Sequence, residues 1–494
     1  MQKFIWMLFI CFFIFLSLQI KVCAQEEPQA SFSLDVTNDL NIDYTIRLLG
    51  WPQTVTPVIE TVRYPHASYT YYRYQANKRT FELVLVRINN GDVLYFAKQD
   101  PTTRRATVSV QIQALDTSAV SASVLREKKW EHIKLPATTS APFYVQGSSL
   151  AYRIGSVTAF TPLGHNTFAE KKVQHPDIAI QKSTQAITYT IPLPAERNVL
   201  ASTWGVLSGQ PLLAFQNKDA ARASAAIEFD TIRKLDVDGA YSRTPDATYE
   251  PYTSTSFYLN PANLEGLQAV QYLDKSYGSL FYDIATHLAY SAVRNQNEHG
   301  YWPTQPRSSG WLYEDYKISF GYMDNRRNAD NATFLLRYAH FTKDDAVWAC
   351  LQKWDRYHTR YINTYSLKTG KEGCLIPDYV DEQGHLSHTS LNHQVANLNY
   401  LLESYVYTQN PAKKQQAITL LRGIEETKTR WVMPNHNLYY ALSRNLRPLP
   451  QRDYLELTRD DLLLSQYLLN RATGTKSTDI QWLINEKNKW LNSR

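Results

Sequence analysis

Residues 437–461 read NLYYALSRNLRPLPQRDYLELTRDD and set three tyrosines, Tyr439, Tyr440 and Tyr454, among four arginines, with no histidine, cysteine or glycine loop between them. A free phenol gives up its proton near pH 10. A neighbouring guanidinium favours the phenolate, so a tyrosine beside an arginine is a candidate general base and a second tyrosine its acid partner. The competing reading is a piece of packed core followed by a loop, because tyrosine suits both.

Other residue types could hold a substrate. The segment EHGYWPTQPRSSGWLYEDY carries Trp302, Trp311 and Tyr313 beside proline and glycine. Aromatics so placed cannot all lie on one buried helix face, so stacking on the apolar face of a sugar competes with loop packing. The 34 tyrosines and 11 tryptophans point weakly the same way, since sheets also favour tyrosine. In GYMDNRRNADNATFLLRY, Asp324, Arg326, Arg327 and Asp330 stand at the mouth of a helix whose apolar run begins at Phe334, with Asp330 or Asn328 as the expected cap. Cations at a helix start oppose its dipole, so Arg326 and Arg327 need an anionic partner, either an acidic sugar or Asp324. Asn392 adds an amide suited to sugar hydroxyls. Of His385, His388 and His393 in HLSHTSLNH only the first two have ligand-like spacing, and no cysteine or acid follows at helical pitch, so they read as solvated loop histidines. The sequence contains no HExxH or GxSxG motif and no phosphate-cradling glycine loop. Asp378, Asp381, Glu382 and Asp453 are the carboxylates on which paired-acid hydrolysis would draw.

Taken in order, GYWPTQPRSSG, RRNADNATFLLRYAHFTKDDAVWACLQKWDRYH, IPDY, LNHQVANLNYLLESYVYTQNPAKKQQAITLL, LYYALSR and RDYLELTRDDLLLSQYLLNRATG resemble the C-terminal domain of the heparosan glucuronyl C5-epimerases over about residues 296–491. The family's Glu-Glu-Tyr-Pro segment resembles Pro377-Asp378-Tyr379, followed here by Val380. Its Tyr-Asp-Leu-Arg resembles Tyr439 or Tyr440 followed by Arg444, and its Asp-Tyr-His resembles Asp453-Tyr454, followed here by Leu455. The resemblance implies a uronyl C5-epimerase acting on an acidic polysaccharide, glucuronate to iduronate. The C5 hydrogen lies α to a carboxylate, so removing it builds an ene-diolate that needs a waiting cation. Inversion then needs a base on one face of the ring and an acid on the other. The implied roles are Arg444 for the anion, Tyr439 or Tyr440 and Tyr454 for proton traffic, Tyr379 opposite and Asp378 tuning it. Protonating the C4 oxygen of the same carbanion as it leaves would instead make a polysaccharide lyase. A non-catalytic glycan-binding protein on the same fold is the third reading.

The elements that must carry these residues fall into two textures. From about residue 30 to 235, YTYYRYQ, TFELVLVRI, ATVSVQIQAL, AITYTIPL and PLLAFQN read as strands punctuated by turn residues. Past about residue 260, apolar residues recur at three and four. Leu391, Val395, Leu398, Leu402 and Tyr405 share a face, as do Leu462, Leu463, Tyr467 and Leu468, and Ile480, Ile484 and Leu491 with Lys487 interrupting them. The fold expected is an antiparallel β-sandwich or barrel-like region over 25–240, followed by an (α/α) toroid, an incomplete α/α barrel, over 241–494. The long aromatic loops between its helices carry the site.

Residues 1–24, with an apolar run from Phe4 to Ile20 and Val22-Cys23-Ala24 behind it, read as a signal peptide for secretion or periplasmic export, an uncleaved N-terminal anchor being the alternative. Its removal takes Lys3 and Lys21 and lowers the formal charge from +6 to +4, too diffuse a balance for a nucleic-acid partner. Cys350 and Cys374 then remain as one disulfide or two buried thiols. No organic or redox cofactor is implied. A structural calcium ion and a homodimer are both compatible with the sequence, and no motif specifies either.

Overall fold

The computed structural model describes residues 30–494, except 53, 77–78, 102–106, 120, 165, 172–176, 195, 228, 230, 244–248 and 309. The signal-peptide reading lies outside the described residues.

Two antiparallel sheets make the first half. The smaller runs Ser31–Leu34, Tyr44–Leu49, Val108–Ala114, Ile187–Leu193, Ile178–Lys182 and Thr138–Thr139 from edge to edge, and the larger takes in strands from Val58–Arg63 through Ser256–Leu259. Alternation within the strands explains how the large sheet serves two cores. In the strand Arg79–Ile88, Phe81, Leu83 and Leu85 face the small sheet, whereas Val84, Val86 and Ile88 turn to the helices. Val93, Tyr95 and Ala97 against Leu94 and Phe96 repeat the pattern on the next strand. PLLAFQN, expected as a strand, is a loop: Pro211 interrupts the ladder, and Asn217 accepts from Asp219 N to cap helix α1 (Lys218–Ala226).

Helix α2 (Leu280–Asn295) lies between the large sheet and the helical half. Beyond it come α3 (Asn325–Thr342), α4 (Asp345–Tyr365), α5 (Leu391–Thr408), α6 (Pro411–Glu426), α7 (Leu457–Thr473) and α8 (Thr478–Asn492). Each odd-numbered member of α3 to α8 forms a hairpin with its successor. The inner members α3, α5 and α7 pack side by side, and α6 touches α8 behind them. This is an open arc of helical pairs in two rows, an α/α arrangement without closure.

The two ends of the arc are built differently. At one end the helices meet through short turns, with Lys343, Gln409 and Gly474 in the left-handed conformation closing α3, α5 and α7 and Asp344, Asn410 and Ser477 capping the next helix. At the other end, residues 366–390 and 427–456 cross from outer to inner helices. The site-bearing segments sit there.

Local expectations need adjusting. Helix α3 starts at Asn325 with Asp324 as its cap, accepting from Arg327 N at 3.0 Å, so Asp330 and Asn328 lie inside the helix. On α7, Leu462 and Leu468 are buried while Leu463 and Tyr467 are exposed, because only one narrow stripe faces the arc. Cys350 and Cys374 are both buried free thiols, and burial pushes the Cys350 thiol up to about 12. Among the described residues no helix is long and apolar enough to cross a membrane.

Candidate active site

The segment 366–390 is pinned from several sides. Asn325 Nδ2 donates to Pro377 O at 2.5 Å, and the Tyr361 hydroxyl donates to the same carbonyl. Gln394 on α5 brackets Ile376, accepting from its N–H at 3.0 Å and donating to its carbonyl at 2.7 Å. Met323 and Asp324 pair with Val380 and Tyr379. These bonds hold Asp378 and Tyr379 over the start of α3. The segment 427–456 is tied in by a two-residue ladder, Thr389 with Leu442 and Ser390 with Ala441, which seats Tyr440 beside His388. Buried Lys487 of α8 donates to Asn437 Oδ1 at 2.8 Å, Asp453 Oδ2 at 3.0 Å and Tyr454 O at 2.6 Å. The cation that interrupts the apolar stripe of α8 is therefore the peg for the Asp453–Tyr454 loop, and Asp453 is engaged in a structural ion pair.

Three of the tyrosines named from sequence converge. Tyr440 and Tyr454 have ring centroids 5.9 Å apart, and the Tyr379 and Tyr440 phenols interact directly. His388 joins them, with ring centroids 5.7 Å from Tyr440 and 6.3 Å from Tyr379. Its Nδ1 lies 3.0 Å from the Tyr316 hydroxyl and its Nε2 3.3 Å from Asp378 Oδ2, the latter an ion-pair distance without hydrogen-bond alignment. Trp311 stacks on the imidazole at 5.4 Å and 22°. The expectation of a solvated loop histidine therefore gives way: His388 is buried, because the 389–390 ladder folds it under Trp311 and Tyr440. Its neighbour His393 is buried on α5, with Nδ1 2.8 Å from Asn325 Oδ1 and 3.7 Å from Asp378 Oδ1. His385 stays at the rim, paired with Asp381.

The electrostatics sort these groups into roles. Burial alone would raise the Asp378 carboxyl, but His393, His388 and Ser390 hold it below the usual carboxylate value, so it is an anion backing two imidazoles. Burial drives the Tyr379 and Tyr440 phenols upward, with Tyr440 and Asp378 adding to it at Tyr379 and Asp378 and Tyr454 adding to it at Tyr440, so both stand as proton donors at neutral pH. Burial also raises Tyr454, but Arg326 and Arg327 pull against it, and this phenol is 51% exposed. The cluster opens to solvent at Tyr454 and Trp311.

The guanidiniums near the phenols are Arg326 and Arg327. Arg326 donates to Asp461 Oδ2 at 2.7 Å and to Asn392 O at 2.9 Å. Arg327 pairs with Asp324 at 3.3 Å, lies over the rings of Tyr249 and Tyr258, and keeps a buried Nη1 without a hydrogen-bond partner. Protein carboxylates thus supply the anions that a helix start needs, and one donor is left over. Arg444 stands exposed in the turn where Ser443 N bonds to Arg447 O, and no contact ties it to the tyrosines. Tyr439, which pairs with Arg452 in an isolated bridge, has no ring contact with the cluster.

Among the expected substrate contacts, Trp311 belongs to the cluster. Tyr313 is half-exposed beside Arg307 and Lys317. Trp302 is buried, its indole donating to Ala292 O at 2.8 Å and packing on Trp354, so it offers no face to a sugar. The Asn392 side chain is buried and accepts from Ser390 Oγ at 2.6 Å. Sequence reasoning missed His388 and Tyr316; the signal present was a histidine ten residues after Asp378.

No protein-family model matches this chain, and no curated protein matches it either. Solved structures similar to it include a sugar epimerase from a ruminal bacterium, 13% identical over 47% of this chain and 56% of that one at a TM-score of 0.32. Another is the cellobiose 2-epimerase from Bacillus thermoamylovorans B4167, with 11% identity, 48% and 60% coverage and a TM-score of 0.36. A third is a family 76 glycoside hydrolase from a bovine Bacteroides thetaiotaomicron strain, with 10% identity, 80% and 76% coverage and a TM-score of 0.37. The chain spans a little over half the length of that sugar epimerase. Likenesses this distant leave the function to be argued from the site itself.

Proposed function

We propose that the protein is a uronyl C5-epimerase of an acidic, heparosan-like polysaccharide, working by proton removal and return at a carbon α to a carboxylate. The observation that carries this reading is the meeting of an Asp378-backed imidazole, His388, with the protonated phenols of Tyr440 and Tyr379. The Tyr316 hydroxyl oxygen takes the C5 proton as its own proton passes to His388 Nδ1, and Asp378 stabilises the imidazolium that forms. Tyr440 returns a proton from its phenol, with Tyr379 beside it. Arg327, with its spare Nη1, and Arg326 supply positive charge for the ene-diolate. Trp311 offers its free face to the neighbouring sugar. The arginine role that the resemblance gives to Arg444 passes in this reading to the two residues at the start of α3.

A second reading, uronate lyase, draws on the high phenol pKa values. A phenol that holds its proton firmly beside a base is also placed to protonate a departing C4 oxygen. The experiment is NMR in D2O with heparosan-like and alginate-like polymers, read together with ultraviolet absorbance. C5 deuterium uptake at constant chain length supports epimerisation, and an absorbing unsaturated product supports the lyase. Neither signal on any uronate polymer would reject both.

A further inference from the structure

A second candidate site lies at the opposite end of the arc. Two cavities of about 480 and 370 Å3 adjoin there and share Gln210, Lys275, Gly278 and Ser279 in their walls. The groove runs between the sandwich and the helices, from Phe215 past Gln210 to Tyr282 in the first turn of α2 and Phe341 in the last turn of α3. The tyrosine cluster sits at the start of α3. Its 18 residues at about 1.5 Å each put roughly 27 Å between the two places.

The polar wall is built from beneath. Asp92 and Asp283 are 1% and 0% exposed, and their carboxyls touch. Burial raises both and Asp92 raises Asp283 further, so the pair keeps a proton on Asp283. Asn90 of the groove donates to Asp283 Oδ1 at 2.8 Å, and Gln210 points its amide nitrogen at Asp92, 3.5 Å from both oxygens. With their N–H groups turned inward, these amides are held in fixed orientation, and the Gln210 carbonyl is left for the groove. The Ser279 hydroxyl, in a residue 7% exposed, lies within reach of Asp92 without a bond of normal geometry. Each cavity has the size of a small-molecule site, about 300–1,000 Å3.

We propose that this groove is a second carbohydrate-binding site, taking an oligosaccharide stretch. Fixed amides and hydroxyls along the floor match sugar hydroxyls, and Phe215 and Phe341 offer aromatic faces for stacking near its two ends. Lys275 is followed backwards in sequence by Asp274, so the wall carries one cation and one anion and does not select a polyanion by charge. The site stands whether or not the tyrosine cluster is catalytic.

The test is calorimetric titration of the full chain with cellohexaose, mannohexaose and a heparosan hexasaccharide, using wild type, Gln210→Ala, Phe341→Ala and Tyr440→Phe. The expected result is binding of at least one of these that weakens tenfold or more in Gln210→Ala and in Phe341→Ala and is unchanged in Tyr440→Phe. Phe341 is exposed, so its variant reads the groove without threatening the fold. Binding of none of the three, or binding lost only in Tyr440→Phe, would overturn the proposal.

Discussion

The sandwich and the loop end of the arc both concentrate tyrosines, and they use them in opposite ways. Inside the sandwich, the Tyr152 and Tyr189 hydroxyls bond to each other at 2.5 Å, and Tyr44 donates to Ala151 O at 3.1 Å and Ser208 O at 2.9 Å. Those phenols are dry, and neutral partners satisfy them. At the loop end, Tyr379, Tyr440 and Tyr454 meet an imidazole, a carboxylate and two guanidiniums, with solvent at one side. What the hydroxyl meets, rather than the residue type, separates a packing tyrosine from a chemical one.

The sharpest way to break that contrast is to remove one oxygen from each region. Tyr440→Phe is expected to lower C5 proton exchange by at least ~100-fold, the scale of a lost general acid, with the melting temperature unchanged. His388→Gln is expected to do the same. Wild-type exchange rates in both variants would dissolve the distinction.

Histidine draws the same line between regions. Burial, with Arg294 adding to it, pushes His287 down to about 3, and burial, with Lys413 adding to it, does the same to His358. Unfolded histidine takes its proton near pH 6.5. Between pH 6.5 and 3 the unfolded chain binds more protons at these two sites, so their contribution is full above 6.5 and is lost as pH falls toward 3. Asp330, which burial raises to about 6, works the other way, since the folded chain holds its proton where the unfolded chain has released it. Asp92 and Asp283, also raised by burial, act as Asp330 does, so the imidazole part is read by substitution: the fall in urea midpoint from pH 7 to 4 is expected to be smaller in His287→Gln and in His358→Gln than in wild type. An equal fall in all three would refute this.

Tyr152→Phe is the converse of the site variant. It leaves Tyr189 unpartnered in the core and is expected to cost about 1–3 kcal/mol by denaturant unfolding, with exchange activity intact. The smallest effect is expected at Arg444→Ala, within about 0.5 kcal/mol in stability and with no measurable change in exchange. A large loss of activity there would return the anion-binding role to the turn.

Elements with strong periodicity were legible. TFELVLVRI alternates and forms the strand Arg79–Ile88, and Leu391, Val395, Leu398 and Leu402 form the buried stripe of α5. PLLAFQN failed because a short apolar run carries no period, and its Pro and Asn signals outweigh its composition. Tyr379, Tyr440 and Tyr454 could be named from motif order alone. Their company could not be, since His388 comes into contact with Tyr440 through a ladder between residues about fifty apart. Lys487 looked like a flaw in a stripe because its partners, Asp453 and the Tyr454 carbonyl, lie on another segment.

The short turns at the far end carry a lesson for redesign. Lys343–Asp344 and Gln409–Asn410 place the stop of one helix directly against the start of the next. One added residue within a helix would swing every later side chain on it by about 100°, and one added at these junctions would uncouple two caps. The crossings at 366–390 and 427–456 impose no such phase outside their fastened stretches, so added or removed residues are borne best away from 376–380, 389–390 and 437–454, where the scaffold beneath keeps its register.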